Sequence, residues 1–451
     1  MVTAIRHKLG LDGAVAFTFV ARCVNIVSST GTVLLIVRFL SPVEQGYYYT
    51  LLSLVSLQLV FELGFSFVIL QHAAHESAHL TLHSDGRIEG DPVAHARLAS
   101  VLQLTVRWYL RAAILLAAIL IPAGIAFFSM KSPAGPKPSW LGPVICGVLA
   151  VSVSFLTTPL YSFFEGCNQI RQVACVRMCQ AFAVVAASWG AIATGHGLYA
   201  SALVNLAVVI VGAVFLLRRR HLIFSLLNHR TLHAEVSWRT EIWPFQWKIA
   251  VSWLCSYFTL QVFTPILFAT AGAREAGRMG LSLSITGYLP LVALCWINTK
   301  AATFGRLITL GRLRELDSLF FRTLRQSLAI ILLLAGACFA TVLAIQRLFP
   351  EMARRMETPG VFLLLLLTAI SSFVVQSLAV YLRSFKREPY LVQSLVVSSL
   401  TLLGILFAAP RWGGTAVAVT YFVLSGVVAL MWTTAIFRKF RNVQRDAVAC
   451  P

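Results

Sequence analysis

Two histidines stand four residues apart around a glutamate in His75-Glu76-Ser77-Ala78-His79. On a helix that spacing sets both imidazoles on one face, where they can hold zinc while the glutamate serves as base. His72 and His83 extend the face at helical spacing. Catalytic zinc also needs a third ligand, and no Asp or His in another apolar run offers one; His196 falls on the opposite side in the topology derived below. A solvated or headgroup-facing helix accounts for the same residues. A membrane zinc protease with metal at His75 and His79 therefore stays an alternative only, no catalytic residue and no cofactor is assigned, and the role of the segment from His72 to His83 is left open.

The other candidates are polar residues inside apolar runs. Arg22 lies within the first run, with Asn25 at i+3 on the same helical face. A cation there faces a bundle interior or snorkels to the interface. Lys248 opens the seventh run, and Gln261 and Thr264-Pro265 lie deeper in it. Proline inside a helix removes a hydrogen bond and makes Pro265 a hinge candidate, with a packed kink as the alternative. Glu62, beside Gly64, is an intramembrane carboxylate suited to coupling a proton or cation, or to a static pair. Glu165 reads as an interface residue, and Asn205, Asn298 and Gln376 read as helix-packing hydrogen bonders.

These residues need elements to hold them, and composition says what kind. Of 451 residues, 58% are apolar and only 12% charged, with mean hydropathy +0.80. Soluble globular chains are about 45–50% apolar and about 25% charged, so an ordinary soluble enzyme is excluded. The net charge of +20 is spread between apolar runs rather than gathered in a solvated block, which argues against nucleic acid and for cationic loops on a membrane surface. Nine scattered cysteines give no disulfide framework and no CxxC pair. The first apolar run is too long for the core of a cleavable signal peptide.

A spanning helix needs about 20 mostly apolar residues. Twelve segments qualify: 14–39, 46–71, 109–130, 140–164, 179–195, 197–217, 246–271, 277–298, 326–346, 359–381, 390–409 and 414–437. With the N-terminus in the cytoplasm, 27 of the 37 basic residues fall in or beside cytoplasmic segments, nine fall in or beside outer loops, and Arg22 lies in the first span. The positive-inside rule then places both termini in the cytoplasm. The outer loops are short, and no GxxxxGK[ST] is present for ATP-driven transport.

The halves echo each other. Glu44-Gln45-Gly46 opens the second segment and Glu275-Ala276-Gly277 the eighth; long cytoplasmic connections follow both, at 72–108 and 299–325. Six spans per half return the chain to its starting side, so the repeats run parallel. The expected organisation is an N-terminal six-helix bundle over 1–217, an amphipathic cytoplasmic linker over 218–245, a second bundle over 246–437 and a cytoplasmic tail over 438–451.

Arg38-Phe39-Leu40-Ser41-Pro42, then Glu44-Gln45-Gly46-Tyr47-Tyr48, then Glu62-Leu63-Gly64 resembles the opening of polysaccharide flippases, the O-antigen translocases among them. These belong to the multidrug/oligosaccharidyl-lipid/polysaccharide (MOP) exporter superfamily. The motif covers about 40 residues, while the 6+6 layout covers the whole chain. The resemblance implies an all-α polytopic protein of about 12 transmembrane helices in two parallel six-helix bundles around a V-shaped cavity. It implies translocation of a polyprenyl-diphosphate-linked oligosaccharide across a bacterial inner membrane by alternating access, with H⁺ or Na⁺ as coupling ion. Membrane lipids, a polysaccharide polymerase and glycosyltransferases are the implied partners. Arg22, Asn25, Lys248 and Gln261 are the cavity candidates, because a diphosphate crosses low dielectric only when paired. A drug antiporter of the same superfamily is the alternative; it calls for an acidic cavity, and few intramembrane acids are present. The long, His-rich connection after the second span departs from the simplest members.

Overall fold

The computed structural model describes residues 13–62, 64–78, 80–82, 88–131, 138–229, 261–385 and 390–449, with isolated positions between 243 and 254. The chain is an all-α polytopic membrane protein whose helices form two compact units, residues 1–40 with 51–254 and residues 41–50 with 255–451. Among the described residues, eight helices are long and apolar enough to cross a membrane.

The first unit opens with α1 (Gly13–Phe39). The second expected span is divided into α2 (Pro42–Val55), whose residues up to Thr50 belong to the second unit, the short α3 (Gln58–Glu62) and α4 (Phe65–Ser77). Ser41 and Glu44 start α2 reciprocally: the Glu44 amide donates to the Ser41 hydroxyl at 3.2 Å, and the Ser41 amide to the Glu44 carboxylate at 2.8 Å. With Pro42 at the first helical position, this capping box starts the helix four residues before the expected boundary at 46. The break before α4 falls at Gly64, which is left-handed at φ 67°, a conformation glycine adopts without a Cβ clash.

An antiparallel hairpin follows, β1 (Leu80–Leu82) with β2 (Ile88–Gly90). It corrects one expectation. The histidine face cannot run on to His83, because α4 ends at Ser77 and the chain turns into a strand. His79 lies outside the described residues.

Four long helices and a short one complete this unit: α5 (Pro92–Lys131), α6 (Leu141–Gly166), α7 (Ile170–Ala193), α8 (Ala200–Arg218) and α9 (Arg220–Leu227). Asp91 accepts from the Val93 amide at 3.1 Å and caps α5. The one-residue gap between the expected spans 179–195 and 197–217 is built as a tight turn by Gly195, at φ 79°, and the His196 amide bonded back to the Ala191 carbonyl at 2.8 Å. Trp189 on α7 donates to the Thr32 hydroxyl of α1 at 3.0 Å. Tyr109, Phe155, Phe163, Phe164 and Phe215 form the aromatic heart of the unit. Leu110, Ile114, Leu115 and Ile119 of α5 are exposed, as lipid-facing positions require.

The second unit contains α10 (Phe263–Thr270), α11 (Ala273–Thr309), α12 (Leu313–Leu348), α13 (Pro350–Ala353), α14 (Pro359–Arg383), α15 (Leu391–Tyr421), a π-helical stretch Phe422–Val428 and α16 (Ala429–Ala449). The last two expected spans join with a single non-helical residue, Gly413, at φ 62° and ψ −153°. The chain doubles back there. Gln393 donates to the Thr433 hydroxyl at 2.7 Å, and Thr401 meets Ser425 at 3.2 Å, pairs equally spaced about Gly413.

The core of the second unit is a cluster of Phe304, Phe320, Phe373, Tyr381, Leu382 and Phe437. At its edge Arg441 of α16 grips Asp317 of α12 through Nε at 2.8 Å and Nη2 at 2.6 Å, while the Tyr381 hydroxyl of α14 donates to the same carboxylate at 2.8 Å. Three helices are thereby tied at one acidic group.

Candidate functional site

Glu62 ends α3 directly before the Gly64 break. Its side chain is buried, with the Ser66 hydroxyl in the first turn of α4 as its polar neighbour. Ser66 in turn meets the Tyr109 hydroxyl of α5 at 3.0 Å. Tyr109 is fully packed, stacked on Phe65 at 5.9 Å and tilted against Phe155 at 4.7 Å. A carboxyl, two hydroxyls and the positive end of the α4 dipole therefore meet inside an aromatic shell. Among the described residues no Lys or Arg pairs with Glu62. Discontinuous helices at membrane depth mark places where backbone is tolerated because it serves a site.

The other anticipated residues are dispersed. Arg22 lies on α1, and the adjoining Asn25 is exposed. Lys248 lies outside the described residues. Gln261 is half-buried in the turn that opens α10. Pro265 occupies the first turn of that helix, where a missing N–H removes no intrahelical bond. His75 is exposed on α4, but Glu76 points inward, buried, and receives the Arg97 Nε of α5 at 2.9 Å. A glutamate held in that pair is not free to act as a base on zinc-bound water. Among the described residues no three His, Cys, Asp or Glu side chains gather to hold a metal.

One group of residues escaped the sequence reading as a site. The Gln45 amide donates to the Gly277 carbonyl at 2.8 Å and to the Arg355 carbonyl at 3.1 Å. Nearby, Arg278 donates to the Met356 carbonyl at 3.1 Å and to Glu275 at 3.3 Å. The signal was the repeated Glu-x-Gly, which marked both segments without indicating that they pack together. Elsewhere, a mostly apolar groove between α7 and α8 is lined by Ala186, Gly190, Leu203, Leu206 and Ile210, with Thr194 and His196 as its polar side chains.

The fold is shared with solved transporters. The chain is similar to a multidrug resistance MATE family transporter of the MOP superfamily in its outward-facing conformation, with TM-score 0.58 at 12% identity over 96% of each chain. It is similar to an inward-facing MATE family transporter with TM-score 0.54 at 12% identity, covering 92% of this chain and 98% of that one. It is also similar to the lipid II flippase MurJ in an inward closed conformation, with TM-score 0.51 at 13% identity, covering 93% of this chain and 87% of that one. No protein-family model and no curated protein sequence matches the chain. At these identities the similarity defines the class of fold, a polytopic helical membrane fold that the chain shares with these proteins.

Proposed function

We propose that the protein is a flippase moving a polyprenyl-diphosphate-linked oligosaccharide across a bacterial inner membrane for surface polysaccharide synthesis. The observation that carries this reading is the fold shared with a lipid II flippase, in a chain whose first helix contains an arginine. A diphosphate needs a cation along its path, and Arg22 supplies one; Asn25, Lys248 and Gln261 are proposed to line the same route. The halves 1–217 and 246–437, joined by the linker 218–245, work by alternating access, and Pro265 serves as a hinge. Glu62 is the proposed coupling residue. A bare anion in that aromatic shell is costly, which fits it to take up and release H⁺ or Na⁺ during the cycle. The proposed partners are the lipid-linked oligosaccharide, membrane lipids, and a polymerase or glycosyltransferases acting before and after transport.

The likeness to MATE transporters supports a second reading, ion-coupled drug antiport. Proteoliposomes separate the two. Flipping of a fluorescent polyprenyl-diphosphate oligosaccharide, lost in Arg22→Ala with the protein folded, supports the flippase. Efflux of cationic dyes with no lipid movement overturns it.

A further inference from the structure

Glu357 lies in the loop between α13 and α14 and is only 2% exposed, yet its Oε1 has no hydrogen-bond partner among the described residues. Its amide donates to the Ser282 hydroxyl of α11 at 3.1 Å, which fixes the residue against that helix. Glu275, in the first turn of α11, points at the same place. A Cβ on Gly414 would sit 2.6 Å from Glu275 Oε1 and 3.2 Å from Glu357 Oε1, so both carboxyl groups converge on the one residue after the Gly413 reversal that has no side chain.

The surrounding charges do not balance this pair. Arg278 is the cation that reaches it, and its contacts are to Glu275 Oε2 and the Met356 carbonyl. Arg355 of the same loop has Glu44 of α2 as its charged neighbour. Gln45 of α2 directs its amide to the Gly277 and Arg355 carbonyls. On α15, Arg411 lies over the Phe407 ring; Arg354 pairs with Glu351 in the open. Two carboxyl groups against one guanidinium leave one negative charge in a buried place, and a proton removes it.

We propose that Glu275 and Glu357 form a proton-binding site in which one proton is held between the two carboxyl groups. The proton comes from water and returns to it, and only an O–H bond forms and breaks. The Glu275 side chain is 26% exposed and gives the route; Glu357 supplies the buried oxygen. Burial first, and then the Glu275 charge, push the Glu357 carboxyl up to about 7, so occupancy changes near neutrality. Loss of the proton sets two like charges against each other where α11, the α13–α14 loop and the Gly413 reversal meet. The site is independent of Glu62 and of the cargo.

The test is infrared titration of the purified full-length protein between about pH 5 and pH 9 in choline buffer. A protonated-carboxyl band should vanish with a midpoint near 7, be absent in Glu357→Gln, and move about tenfold in proton concentration toward acid in Glu275→Gln. A wild type with no such band overturns the proposal. So does a band unchanged in both variants, or a midpoint displaced when Na⁺ replaces choline, which indicates a metal cation instead. If Glu357→Gln does not fold, the Glu275→Gln midpoint decides alone.

Discussion

The Gln45 side chain donates to the Gly277 carbonyl at 2.8 Å, joining the two Glu-x-Gly segments that echo each other in the sequence. Gly46 and Gly277 permit it. A Cβ on Gly277 would meet the Gly46 amide nitrogen at 2.9 Å, and one on Gly46 would overlap the Ala273 carbonyl. Small residues allow membrane helices to approach at backbone distance, where dispersion and hydrogen bonds replace the missing hydrophobic drive.

Gly46→Ala should therefore cost about 1–3 kcal/mol, because backbone rather than a flexible side chain must give way. Gly190→Ala, with nothing near its Cβ position, is the control. Thermal unfolding in detergent compares them; equal midpoints would contradict the close approach.

Arg441→Ala should lower thermal stability by about 1–3 kcal/mol, since it leaves the half-buried Asp317 and the Tyr381 hydroxyl without their cation. Arg354→Ala removes an exposed pair with Glu351 and should leave the unfolding midpoint in place.

The pH profile of stability should follow Glu357. Its carboxyl is raised from 4.5 to about 7 in the folded protein, so the folded state holds a proton that the unfolded chain releases. That contribution is complete below about pH 4.5 and is lost as pH rises to about 7. Unfolding midpoints measured across this window should fall in the wild type and flatten in Glu357→Gln.

Glu62→Gln should fold normally and lose gradient-driven transport by about tenfold or more, because the amide keeps the shape and hydrogen-bonding capacity toward Ser66 without exchanging a proton. Proteoliposome flipping with and without an imposed gradient reads it; full driven transport would remove Glu62 from coupling.

Much of this was legible in residue order. Apolar runs locate the long helices, but they put the start of the second span at 46, with 41–45 as an outer loop, whereas α2 starts at Pro42. Glu62 stood out because a carboxylate inside an apolar run has few uses. The break around it was harder to see: Gly64 marks the place, but a left-handed turn and a loop glycine share one letter. The hairpin at Leu80–Leu82 was hidden by histidine spacing that suits a helix equally well. Glu76 matches the base position of a zinc motif that stays an alternative only; its partner Arg97, distant in sequence, could not be read from that spacing. Glu275 and Glu357 were passed over for a related reason. Short polar loops read as solvated, and only tertiary packing brings an α13–α14 loop under Gly414.

The indole of Trp189, bonded to Thr32 and lying over Gly31, gives the protein a built-in gauge. Fluorine placed on that ring would sense the first helix leaving the seventh without any foreign probe, so departures of a single rod could be timed by magnetic resonance while cargo moves.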